Sequence, residues 1–215
     1  MNVMAINGSP RKNWNTATLL KKALEGAQSC GARTELVNLY DLDFKGCTSC
    51  FACKRKGGEH GICAMKDDLT EVLVKVKQAD ALILGSPIYI GSISSGMRAF
   101  LERFLFSNFL YNKEFTTFFP KKIPAGFIYT MGVSESMMKE WGLKDTLQGI
   151  ENMISNMVGS LEVLYSFDAY QFDDYSKYEA DMFDEPARKK IHDKQFPLDC
   201  QKAYDMGTRF AAEKT

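Results

Sequence analysis

Two stretches of the sequence carry residue types that could do chemistry. The first is NGSPRKNWNTATLL, residues 7–20, where Ser9, Arg11, Lys12, Asn15, Thr16 and Thr18 gather hydroxyls, an amide and cations at a helix start. The second is Cys47, Cys50, Cys53 and Cys63, three thiols in a C-x2-C-x2-C run and a fourth after nine intervening residues. A polar loop running into a helix is an anion site, because the free N–H groups of the first turn and the positive dipole end face it. Asn15 or Thr16 could also be a plain N-cap, but capping explains one residue and leaves the others over. Thiolates at two-residue spacing can wrap one centre, with a further ligand arriving from a distance.

The common nucleotide signatures are missing. A P-loop needs G-x4-G-K-[ST], and Asn13 and Trp14 hold its final Gly and Lys positions. A dinucleotide site needs G-x-G-x-x-G, and no glycine follows Gly8 until Gly26. GSISSGMR, residues 91–98, places Met97 where a P-loop needs Lys. A loop of hydroxyls and amides with few glycines suits a terminal monophosphate instead. Hydrolytic triads are poorly supported: His60 and His192 are the only histidines, and GVSES at 132–136 lacks the last Gly of a nucleophile elbow.

These residues need a frame. Apolar runs predict strands at 2–7, 33–38, 80–86, 123–131 and 161–166, and helical periodicity predicts helices near 15–30, 67–78, 94–110, 137–158 and 187–213. Nearly continuous apolar strands belong to a parallel sheet covered on both faces. The alternation of strand and helix predicts one α/β domain over 1–215, a doubly wound five-stranded parallel sheet. In such a sheet ligands bind outside the carboxyl ends of the strands, where the loop at 8–16 falls. The turn after the third strand, SPIYIG, adds Pro87 to pin it, Tyr89 as a flat surface and Gly91 for close backbone approach, although a plain turn with a packed Tyr would read the same. Residues 41–66 form a long connection that holds the cysteines, and residues 168–185 carry seven acids against one Lys, interleaved with Tyr170, Phe172, Tyr175, Tyr178 and Phe183. That second segment reads as an arm whose aromatics pack while its carboxylates stay wet.

Lys+Arg and Asp+Glu both number 27, so the formal net charge is zero, which speaks against nucleic acid or an anionic membrane as partner. No apolar run is long enough to span a bilayer, and the first ten residues lack a signal-peptide pattern. With four of six cysteines clustered rather than distributed, the expected compartment is the reducing cytoplasm.

GSPRKNWNTATLL, then GCTSCFACKRKGGEHGICAMKDDL, then ADALILGSPIYIGSISSGMRAFLER resemble, in order and spacing, the flavodoxin-like NAD(P)H-dependent FMN reductases and iron–sulfur flavoproteins. The resemblance covers roughly residues 1–165. It implies a flavodoxin-like sheet in the order 2-1-3-4-5 and FMN as cofactor. Ser9, Arg11, Asn15 and Thr16 would hold the FMN phosphate. Pro87, Ile88, Tyr89, Ile90 and Gly91 would flank the flavin ring, and Thr130, Met131 and Gly132 would approach its pyrimidine side. Trp14 departs from the pattern, since family members often carry Gly before the Asn-Thr pair. The implied activity is an oxidoreductase passing electrons from NAD(P)H, or a reduced ferredoxin, through FMN to a small acceptor such as flavin or quinone. An electron-transfer or redox-sensing flavoprotein without turnover is the alternative.

Three readings of Cys47, Cys50, Cys53 and Cys63 stand side by side: a [4Fe–4S] cluster, a Cys3His zinc site using His60, and reduced or redox-paired thiols. The gap before Cys63 is longer than in the iron–sulfur flavoproteins. Lys54, Arg55 and Lys56 could offset the charge of a cluster. Finally, Phe104, Phe106, Phe109, Tyr111, Phe115, Phe118 and Phe119 offer more apolar surface than one helix face needs. A subunit interface, a flavin cap or extra core would each use it, and a homodimer or tetramer is the expectation.

Overall fold

The computed structural model describes residues 1–114 and 116–212; Phe115 and the predicted helix end at 213 lie outside them. Strand β1 (Asn2–Asn7) alternates its side chains between two cores. Met4 and Ile6 point to one face, Val3 and Ala5 to the other, and all four are buried. The continuous apolar run is therefore what a strand covered on both sides requires.

Helix α1 (Asn15–Ser29) follows, then β2 (Arg33–Asn38), the cysteine-bearing connection, α2 (Leu69–Gln78) and β3 (Ala81–Tyr89). Next come a two-residue strand β4 (Ser92–Ile93), α3 (Ser95–Asn108), β5 (Ile123–Thr130), α4 (Glu135–Glu140), α5 (Leu143–Val158), β6 (Gly159–Ser166) and α6 (Glu185–Ala212). The main sheet runs β2-β1-β3-β5-β6, all parallel, which is the expected flavodoxin-like order. β4 is extra: it folds back antiparallel on β3, pairing Ile88 with Ile93 and Tyr89 with Ser92.

Helices α1 and α6 cover one face through Leu19, Leu20, Ala23, Met206 and Phe210. Helices α2, α3 and α5 cover the other through Val72, Phe100, Phe104, Leu147 and Ile154. The helix expected over 137–158 is two helices. Gly142, at φ +65, ends α4 and starts α5, a left-handed position that glycine takes without a steric penalty. No helix among the described residues is long and apolar enough to cross a membrane.

Candidate functional site

The carboxyl ends of β1, β3 and β5 open into a crevice of about 220 Å³. The first loop supplies Ser9, Arg11, Trp14, Asn15 and Thr16 to its wall; the end of β3 supplies Pro87, Ile88 and Tyr89; and the end of β5 supplies Thr130, Met131 and Gly132. Ile90 and Gly91 stand beside it, at the turn between β3 and β4, with Ile90 fully exposed. The first loop is held from inside. Ser9 N–H donates to Asn7 Oδ1 at 3.0 Å, Arg11 N–H donates to Ser9 Oγ at 3.1 Å, and Ser94 Oγ donates to the Gly8 carbonyl at 2.6 Å. Thr16 and Thr130, both buried, meet hydroxyl to hydroxyl at 2.7 Å and tie α1 to β5.

At the head of α1, Trp14 is the N-cap residue, yet among the described residues no side chain accepts from the first-turn N–H groups, and no acid stands in that turn. Such a helix end leaves donors and a positive dipole open to an anion. Burial pushes the Tyr89 phenol up, against the pull of the Arg11 charge, so at neutral pH it is a neutral hydrogen-bond donor. Lys12 turns away from the crevice to pair with Asp41.

The fourth wall is Ala169, Tyr170, Gln171 and Phe172, from the acidic arm. Its backbone faces the first loop. Trp14 Nε1 donates to the Tyr170 carbonyl at 3.0 Å, Asn15 Nδ2 donates to the same oxygen at 2.9 Å, and Arg11 Nη1 donates to the Gln171 carbonyl. The arm keeps its shape through its aromatics, with Phe172 stacked on Tyr178 at 4.1 Å and Tyr175 buried against Tyr170, Phe172 and Phe183. A hydrogen bond from Tyr170 to Glu185 anchors the arm to α6 and pushes the phenol up to about 12. Arg188 reaches back from α6 to donate to the Gly132 carbonyl at 2.6 Å.

The cysteines form a second site. Cys47, Cys50, Cys53 and Cys63 line one small cavity of about 20 Å³, and none is in a disulfide. That space holds roughly one water. Among the described residues no three His, Cys, Asp or Glu side chains are placed to share one metal ion, and His60 is outside this cavity, stacked on Phe118 at 5.0 Å. Helix α3 is the platform beneath. Lys54 donates to the Phe106 and Phe109 carbonyls at the end of α3, and Cys47 N–H donates to Glu102 Oε2 at 3.2 Å. Burial lowers the Lys54 ammonium, against the pull of Cys53 and Cys47, and pushes the Cys53 thiol up. Ser49 and Phe51, both at φ +54, hold the backbone on either side of Cys50 in the left-handed conformation. Much of the aromatic surplus is spent here: Phe106 packs edge-on against Phe51 and Tyr111.

The profile of the NADPH-dependent FMN reductase family matches residues 1–155. The chain belongs to this family. Among curated relatives, an iron–sulfur flavoprotein of Methanocaldococcus jannaschii is 40% identical over 103 residues, 48% of this chain and 51% of that protein. An iron–sulfur flavoprotein of Methanosarcina thermophila is 29% identical over 152 residues, 71% of this chain and 72% of that protein. The chain thus spans about half the length of the first of these relatives. Among solved structures, an NAD(P)H:quinone oxidoreductase from Methanothermobacter marburgensis superposes with a TM-score of 0.72 at 15% identity, covering 97% of this chain and 98% of that one. At that identity the likeness concerns the fold.

The part matched to the FMN reductase family contains the first loop, the β3 and β5 ends and all four clustered cysteines, whereas the arm and α6 lie beyond it. The arm wall is what reading the sequence missed. Its contacts are made by backbone carbonyls, which no residue type announces. Trp14, a bulky donor in place of a small residue, was the one available signal.

Proposed function

We propose that the protein is an FMN-dependent oxidoreductase that takes reducing equivalents from NAD(P)H, or a reduced ferredoxin, and passes them to a small acceptor such as free flavin or a quinone. The observation that carries this reading is the crevice itself: three strand-end loops converge on an α1 terminus that no side chain caps. Its donors fit FMN. Ser9, Arg11, Asn15 and Thr16 would hold the phosphate. Pro87, Ile88 and Tyr89, with Ile90 and Gly91 at the rim, would flank the ring, and Thr130, Met131 and Gly132 would meet its pyrimidine side. Bound FMN supplies the hydride and electron chemistry, so the chain's task is to bind, orient and exclude water. Buried Ser9 and Thr16 keep the phosphate end dry, and protonated Tyr89 can donate a hydrogen bond.

The test is oxidation of NADH and of NADPH by the FMN-loaded protein, with a quinone or free flavin as acceptor. Acceptor-dependent oxidation of either nucleotide is expected. If neither is oxidised, the alternative takes over: a flavin-binding electron carrier without this turnover.

A second reading concerns the cysteines, which we propose bind a [4Fe–4S] cluster. Four unpaired thiols around one cavity, with buried Arg103 in its lining and half-buried Lys54 close by, have the chemistry of that donor set. Each iron of such a cluster takes its own cysteine, so the thiols need not converge on a single ion. The cavity, about 20 Å³, has to widen to admit it, and Cys50 and Phe51 are on its exposed side. Anaerobic iron and acid-labile sulfide analysis is the measurement: stoichiometric iron and sulfide are expected, and four titratable thiols without iron would refute the reading.

A further inference from the structure

We propose that Arg188 is the cation that favours the reduced form of the flavin, acting at the β5 end of the crevice. This rests on the FMN reading above. Arg188 belongs to α6, beyond the part matched to the FMN reductase family, yet it reaches the crevice wall at Gly132. Its Nη2 donates to the Gly132 carbonyl at 2.6 Å, and its guanidinium lies over the Phe183 ring at 4.1 Å. Those two contacts fix a positive charge beside the crevice. Gly132 leaves the room for it: a Cβ there would stand 2.6 Å from Gln171 Nε2 and 3.9 Å from Arg188 Nη1. Two side-chain donors from outside the family-matched part therefore gather at one wall residue.

The protein itself does not compensate this charge. Arg188 Nη1 is buried without a hydrogen-bond partner, and leaving a buried donor unmade is costly. The acids around it are engaged elsewhere: Asp184 accepts from Ala187 N–H, Glu185 accepts from Tyr170, and Asp193 pairs with Lys189. Among the described residues no carboxylate forms an ion pair with Arg188. An uncompensated cation behind a ligand wall favours a ligand that gains negative charge there. Hydride transfer from NAD(P)H brings two electrons and one proton to the flavin and releases NAD(P)+, so the ring ends with one more negative charge. Its pyrimidine half carries that charge, the half proposed to meet Thr130, Met131 and Gly132. Arg188 thus raises the reduction potential through its field, without having to touch the ring. By linkage it tightens reduced FMN over oxidised FMN by the same factor.

The test compares two quantities. The FMN-loaded protein is titrated anaerobically with dithionite beside a reference dye, which gives the potential. Anaerobic ultrafiltration of the apo protein with oxidised and with dithionite-reduced FMN gives the two affinities. Arg188→Gln keeps an amide donor for the Gly132 carbonyl and removes the charge. It is expected to make reduction harder by about tenfold, about 30 mV downward for a two-electron couple, and to loosen reduced FMN about tenfold more than oxidised FMN. Arg188→Lys keeps the charge and should shift the potential less. Gln171→Glu leaves α6 intact and sets a carboxylate against Nη1, so it should also lower the potential, and it carries the test if Arg188→Gln does not fold. An unchanged potential in either folded variant overturns the inference. So does an equal loss of affinity for oxidised and reduced FMN in Arg188→Gln, the result of a role confined to anchoring the arm. A wild-type apo protein that binds no FMN overturns the FMN reading, and the inference with it.

Discussion

Arg11 stands where the family's first loop meets the arm: its guanidinium lies over the Trp14 ring at 5.4 Å and donates to the Gln171 carbonyl. In the proposed role of phosphate ligand it would contribute a charge-assisted bond of about 1.5–3 kcal/mol, so Arg11→Ala should weaken FMN binding roughly tenfold to a hundredfold. Titration of the apo protein with FMN checks this, and equal dissociation constants would remove Arg11 from the site. Trp14→Phe keeps the ring and deletes the bond to Tyr170. It should speed FMN release several-fold in a stopped-flow chase, whereas an unchanged rate would make that contact incidental. That Ser9 and Thr16 would stand in one crevice was legible in the sequence because hydroxyls and cations crowd one helix start; both line it. The same crowding misled on Lys12, whose charge goes to Asp41, since composition does not say which way a long side chain turns.

Among the elements, α1 and α6 pack closely enough that their backbones nearly touch. A Cβ on Gly207 would overlap the Ala23 carbonyl, and one on Gly26 would overlap the Tyr204 carbonyl. Gly207→Ala should therefore destabilise the fold by about 1–3 kcal/mol, read as a lower Tm, with the sheet's other face undisturbed. Asp80 joins the starts of β1 and β3: it accepts from Asn2 N–H at 2.8 Å and from Lys121 Nζ at 2.7 Å, and the Lys121 bond first and the Asn2 bond second hold its carboxyl below the usual range. A depressed carboxylate stabilises above its unfolded pKa, and that contribution fades as pH falls through the folded value. Because the pair is exposed, Asp80→Asn should cost only a few tenths of a kcal/mol at neutral pH and nothing in strong acid, measured as urea midpoints across pH. The main strands were legible because buried parallel strands read as unbroken apolar runs. β4 was not, since two residues carry no periodicity, and the α4–α5 break at Gly142 was hidden by apolar spacing that continues across it.

Across the whole molecule, the family-matched part builds three walls of the crevice and the arm builds the fourth. Exposed apolar residues, among them Ile90, Trp141 and Met153, are surface that the homodimer or tetramer expected from the sequence would cover. Light scattering of the FMN-loaded protein should return a multiple of the 24.3 kDa chain mass, and a monomer at micromolar concentration would defeat that expectation. The central claim is that the crevice takes FMN by its phosphate, at the uncapped start of α1. Riboflavin has the same ring and lacks the phosphate, so side-by-side titrations of the apo protein with FMN and riboflavin isolate that grip. Losing two or more charge-assisted bonds should leave riboflavin weaker by about a hundredfold or more. Equal affinities for FMN and riboflavin would contradict the account.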